Sequence, residues 1–213
     1  LNGEDSYYLT DGTYLFDNLK ETDYIYVVDS YNYIKDISKN LKLVEIFGKR
    51  AFPCEGITAE ACSNILTNIL SRNGFDTSNL ENGQISVNIL GRNLHPDGFP
   101  YQILGSYNNA KRPPYKDVPL AVTRSKEDMN NITANIILCE AERVNYYSTT
   151  SNIVSLLGIH ELLGHGLMGM KEDEHWKILK MQRNDPTWDK MTTPLKGLYK
   201  WLEMYRANEY LQH

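Results

Sequence analysis

Asn152-Ile153-Val154-Ser155-Leu156-Leu157-Gly158-Ile159-His160-Glu161-Leu162-Leu163-Gly164-His165-Gly166-Leu167-Met168-Gly169-Met170 is the stretch on which the reading of this chain turns. Apolar residues and glycines stand on both sides of His160, Glu161 and His165, so a helix here carries its polar groups into a core. Burying such groups is costly unless each finds a partner. The usual zinc pattern puts two histidines four residues apart on a helix, with Glu after the first. Four residues advance about 400° on an α-helix, which leaves the two imidazoles about 40° apart. His160 and His165 are five apart. Five residues advance about 500°, leaving about 140°, so a regular α-helix would turn them away from each other. A π-type widening of the turn restores a common face, and such widenings gather at functional sites. Gly164 lies inside the interval and eases both an irregular turn and a close approach. The expectation is a widened helix around Leu162–Gly164, with both imidazoles on one metal.

Glu161 follows the first histidine and is placed to act as general base. Zinc supplies an acidified water and polarises a carbonyl, and Glu161 would take the proton and pass it to the leaving amine. A catalytic zinc needs a third protein ligand. Of the five histidines, His213 ends the chain and His95 lies far upstream. His175 follows His165 by ten residues, with Gly166 and Gly169 between them to let the chain turn back. His175 is the expected third ligand and Glu174 its main rival, with Glu203 and Glu209 behind. Tyr146, Tyr147, Tyr199 and Tyr205 are candidate donors to an oxyanion, and the sequence does not rank them. The plainer account, two buried histidines held only by hydrogen bonds, needs no metal at all.

Two family resemblances attach to these residues. The string His160-Glu161-Leu162-Leu163-Gly164-His165 resembles that of the dipeptidyl peptidase III family of zinc peptidases, which shares the five-residue spacing and uses the Glu as base. That likeness covers six or seven residues. The family's two-lobed architecture is far longer than this chain, and its second, glutamate-rich ligand motif is missing downstream. A wider pattern joins the alternating segment Ile132–Leu138, His160–Gly166, Glu174-His175, Gln182–Trp188 and Thr192–Pro194. It resembles the C-terminal metallopeptidase domains of Rhs-type polymorphic toxins of Bacteroidetes-like bacteria. That resemblance implies a domain of a larger secreted protein, delivered to a competitor or host cell, with peptide or protein substrates and a cognate immunity protein. The start at Leu1-Asn2-Gly3 agrees with a domain fragment or with removal of a targeting segment.

Outward from the motif, the chain reads as α+β. Asp11-Gly12 between Tyr7–Thr10 and Thr13–Phe16 predicts a hairpin with positive φ at both turn residues. Tyr24–Val28, Ile85–Leu90, Leu120–Val122 and Asn131–Leu138 read as strands, and residues 31–47 are ambiguous. Thr58 is the expected cap of a helix whose stripe is Cys62, Ile65, Leu66, Ile69 and Leu70, ended by Asn73-Gly74. Ser151 or Asn152 is the expected cap of the metal helix. Further helices are expected from Glu172 to Arg183, stopped by Asp185-Pro186, and from Thr193-Pro194 onward. The order is similar to a zincin-like fold: a backing helix, a small mixed sheet whose edge takes extended peptides, then a helical C-terminal third carrying the metal helix. Residues 1–50 form a β-rich N-terminal segment, part of the same unit or appended to it, and residues 51–213 the metallohydrolase domain. The segment 91–117, rich in Gly, Pro and Asn and holding His95 and Arg112-Pro113-Pro114-Tyr115, reads as a long loop, functional or mobile.

Composition limits the alternatives. The chain has 213 residues, a net charge of -5 and three cysteines, and 41% of its residues are hydrophobic. The isoelectric point near 5.6 argues against a nucleic-acid partner. No stretch reaches the ~18 apolar residues of a membrane span. Cys54, Cys62 and Cys139 make neither a disulfide framework nor a cysteine zinc site. Fifteen tyrosines suit half-exposed sheets and polar clefts. The expected function is a zinc-dependent peptidase with Glu161 as base. The rivals are a zinc amidase acting on cell wall or small molecules, and a non-catalytic binding module with structural histidines.

Overall fold

The structure is a computed structural model, described for residues 3–20, 22–29, 48–90, 101–103, 116–126, 129–138 and 146–210. Residues 31–47, most of 91–117, Cys139, His95 and His213 lie outside them, as does the side chain of Glu209 and of Tyr205. The architecture is α+β, with two small mixed sheets rather than the single one expected.

The first sheet contains β1 (Gly3–Leu9), β2 (Tyr14–Lys20), β3 (Ile25–Val28) and β4 (Lys49–Ala51), in the order β2-β1-β3-β4. β1 pairs antiparallel with β2 and parallel with β3, and β3 pairs antiparallel with β4. The Asp11-Gly12 hairpin forms, but only Gly12 has positive φ, at 87°. Asp11 instead accepts the Thr13 amide on its side chain at 2.8 Å. A Cβ on Gly12 would stand 2.5 Å from the Ala61 carbonyl, so the turn is seated on the following helix.

That helix, α1 (Ala59–Arg72), forms as its sequence prescribes. Thr58 caps it by accepting the Ala61 amide at 3.1 Å. Cys62, Ile65, Leu66, Ile69 and Leu70 are all fully buried on one stripe. Gly74, with φ 85°, turns the chain away beyond Asn73. Cys54 and Cys62 are buried and free, and burial pushes the Cys62 thiol up to about 12, far from a reactive thiolate.

The second sheet is β5 (Ser86–Leu90), β9 (Met129–Ile137) and β8 (Ala121–Lys126), in the order β5-β9-β8. β9, nearest in sequence to the metal helix, is central. The edge beside the metal helix is β8, antiparallel to β9. Within the expected loop, β6 (Tyr101–Ile103) and β7 (Lys116–Val118) form a parallel pair.

The metal helix, α2, begins as an α-helix over Thr150–Ile153 and continues as a π-helix over Val154–Leu167. Its cap is Thr149, not Ser151 or Asn152: Thr149 Oγ1 accepts the Asn152 amide at 3.2 Å. The next two free amides are taken by Asp23 from the first sheet's loop. Its carbonyl accepts from Thr150 at 2.9 Å and its carboxylate from Ser151 at 2.8 Å. Asn152 is used elsewhere, exchanging two hydrogen bonds with Thr192 at 2.9 and 3.0 Å. After a turn at Glu172–Glu174 come α3 (His175–Asn184), α4 (Thr187–Lys190) and α5 (Thr193–Tyr210). One apolar cluster joins Tyr8, Ile25 and Val27 of the first sheet to α1, β9, α2 and α5. Among the described residues no helix is long and apolar enough to cross a membrane.

Candidate metal centre

α2 is buried over nearly all of Val154–Gly164, so its shape is set by contacts on every side. The widened turn covers fourteen residues, not only the Leu162–Gly164 step. Its mark is the Met168 amide, which bonds to the Leu163 carbonyl five residues back at 2.9 Å. At about 4.4 residues per π turn, five residues advance a little more than one turn, so His160 and His165 share a face. At Gly164 α3 packs closely: a Cβ there would lie 2.9 Å from the Ile178 side chain. Gly169, with φ 63°, reverses the chain after the helix. That reversal brings the start of α3, and with it His175, back over the two histidines.

The three rings converge on their Nε2 atoms. His160 and His175 Nε2 are 3.0 Å apart, and His165 and His175 Nε2 are 3.1 Å apart. One ligand atom from each of the three lies within 4.8 Å of the others. Tetrahedral zinc with bonds of about 2.0–2.1 Å would hold its nitrogens about 3.3 Å apart; the two separations from His175 are close to that, and the trio as a whole lies within 4.8 Å.

The outer ring nitrogens say where the protons are. Gln182 donates its amide to the Ser155 carbonyl at 2.8 Å, which fixes that amide's orientation. Its Oε1 therefore faces His160 Nδ1 at 3.1 Å and accepts a hydrogen bond from it. His165 Nδ1 lies 2.7 Å from the Met170 carbonyl, which can only accept. His175 Nδ1 lies 3.0 Å from the Glu172 carboxylate, off the ring N–H axis. With their Nδ1 atoms donating to Gln182 and Met170, His160 and His165 each turn an Nε2 lone pair towards the Nε2 of His175. One added proton on His175 could bridge to one neighbour, whereas a metal ion satisfies all three. Outer partners of this kind, amide, carbonyl and carboxylate, commonly orient metal-bound histidines.

Glu161 is only 4% exposed and lines the same cleft. Thr123 of β8 donates to its Oε2 at 2.7 Å. Burial pushes the Glu161 carboxyl above the usual range, opposed by the Thr123 hydrogen bond and by His165 and His175.

The rival ligands go elsewhere. Glu174 lies at the surface against Lys177 Nζ at 2.6 Å, and Glu203 pairs with Arg183 at 2.6 Å. Of the tyrosines, Tyr147 donates its hydroxyl to the Leu120 carbonyl, which takes it out of the cleft. Tyr199 stacks on His160 with ring centroids 6.2 Å apart and an interplanar angle of 4°. Sequence reasoning did not single out Ser155 or Thr123, and it met Gln182 only as the first residue of the Gln182–Trp188 pattern, with no role at the histidines. Gln182 is fully buried in an otherwise polar helix turn, and a lone Gln carries no spacing that would mark it.

Compared with protein-family models, with curated proteins and with solved structures, the chain matches none.

Proposed function

We propose that this protein is a zinc-dependent peptidase with a zincin-like cleft, in which His160, His165 and His175 hold the metal and Glu161 is the general base. The observation that carries the reading is the meeting of three imidazole rings at one point of the cleft, with His160 and His165 each donating from Nδ1 to an outer acceptor and turning Nε2 towards His175. Bound zinc would acidify a water and polarise the scissile carbonyl. Glu161, held at one oxygen by Thr123, keeps the other for the proton of the attacking water and returns it to the departing nitrogen. An extended peptide pairs with the outer edge of β8, which among the described residues has no further strand beside it, by main-chain hydrogen bonds, and Thr123 on that strand ties the peptide's seat to the base. The cleft is about 520 Å³, within the range of ligand sites.

The test is metal content and turnover together. Purified protein should hold one zinc per chain, seen by anomalous scattering at the zinc edge, and should cleave casein-like substrates rather than peptidoglycan fragments. Glu161→Gln should keep the zinc and lose about 100- to 10,000-fold in kcat, the range of a general base. A metal-free protein whose stability is untouched by His160→Ala would sink the assignment. Delivery as a toxin, with an immunity partner, rests on the motif pattern alone. It is tested by growth arrest on expression of the wild type but not of Glu161→Gln.

A further inference from the structure

The cleft around the three histidines has two unlike ends. Towards Gly169, Met170 and Glu172 it is lined by a turn and a carboxylate. Its apolar lining is Leu120 ahead of β8, Leu156 of α2, Leu179 of α3, and Leu198, Tyr199 and Leu202 of α5, and Tyr199 ties this lining to His160. Leu156 stands about one turn before His160 on the same helix. The parallel stacking of Tyr199 on His160 sets the α5 wall directly behind a ligand histidine. All of these except Leu202 are less than a tenth exposed, so they form the depth of the recess, with Leu202 its more open member.

Two of the polar groups behind this wall are already engaged, while the Tyr199 hydroxyl is buried with no hydrogen-bond partner. The Leu120 carbonyl accepts from the Tyr147 hydroxyl and from the Asn135 amide, the latter at 2.8 Å. The Gln182 amide is committed to Ser155 and His160. What the wall offers an occupant is chiefly aliphatic and aromatic surface. A peptide paired to β8 presents alternate side chains to opposite faces, so a side chain beside the metal and turned towards α2 enters this end.

We infer that the His160 end of the cleft is a side-chain subsite, and that the substrate class is peptides with a bulky aliphatic or aromatic residue next to the bond cleaved. This rests on the peptidase reading above. The recess accepts Leu, Met or Phe by removing their surface from water, and it rejects Asp or Glu, whose charge would leave water and meet no Lys or Arg among the described lining residues.

The experiment separates the subsite from the chemistry. Zinc-loaded Glu161→Gln protein is titrated with two hydroxamates, one with a methyl tail and one with an isobutyl tail. The longer tail should bind at least about 10-fold tighter, as expected for methylenes entering an apolar pocket. Adding Leu202→Arg should bring the ratio of the two affinities close to one. In parallel, the wild type should prefer Leu or Phe over Gly or Asp beside the cleaved bond by about 10- to 200-fold in kcat/KM. Equal affinities for the two hydroxamates overturn the subsite, and so does a tail effect that survives Leu202→Arg. Tail-dependent binding with no peptide cleavage sinks the peptidase reading and leaves the apolar recess standing. Absence of zinc uptake, read directly from metal content, removes both.

Discussion

α1 and the π-helical part of α2 are each fourteen residues long, and they are built on opposite plans. α1 has one apolar stripe at α-helical spacing, a capping threonine and a solvent face, so local preference and packing agree. The π segment is apolar almost all round and buries nearly every residue up to Gly164. A π-helix of this length has little intrinsic support, since such turns normally occur singly. It is held from outside, by Asp23 and Thr149 at its start, β8 and β9 along one side, and α3 pressed on Gly164. The first helix is specified by its own residues, and the second by what surrounds it. Only the second brings residues five apart onto one face.

The comparison can be broken or sharpened by substitution. The largest effect is expected from His165→Ala. Removing a ligand should weaken zinc binding by more than the roughly 10- to 100-fold that loss of an outer partner costs, and zinc should no longer copurify. Retention of full zinc would mean that the widened turn serves nothing. Gln182→Ala should fall within that 10- to 100-fold range in zinc titrations, because His160 loses the acceptor that fixes its tautomer. Unchanged affinity would show that packing alone orients the ring.

Gly164→Ala places a Cβ 2.9 Å from Ile178 and should cost about 1–3 kcal/mol in thermal or denaturant unfolding, as overpacking does. Gly197→Ala, with nothing within 4 Å of the new Cβ, should instead stabilise α5 by about 0.4–1 kcal/mol. Equal effects at the two sites would deny the close approach of α3. The smallest effect on function belongs to Thr58→Ala. It should cost α1 about 1 kcal/mol and leave zinc content and turnover unchanged.

Legibility in the sequence followed the same division. Where spacing and local chemistry decide, the residues announced the structure: the stripe and cap of α1, the strands at 25–28 and 86–90, and the histidine trio with Glu161 beside it. The need for a widened helix also followed from the spacing of His160 and His165, although its extent did not. Partners supplied from far along the chain were not legible. Ser151 and Asn152 look like caps, yet Asp23 satisfies the Ser151 amide and Asn152 serves Thr192. Gln182 and Thr123 became part of the site only when α3 and β8 were set against α2. The split into two sheets was equally hidden, because strand partners depend on packing and not on strand pattern.

The cap that Asp23 gives to α2 has a consequence for the order of assembly. The carboxylate and the amide it satisfies are separated by 128 positions in the chain. A segment with weak local helix preference cannot nucleate readily alone, and this one waits for a contact whose loop-closure cost comes first. The histidine cluster should therefore be among the last parts of the molecule to mature, after β1 and β3 have paired and carried Asp23 into place. Amide protons of Val154–Leu167 should gain protection from exchange later in refolding than those of α1, and zinc capture should follow them.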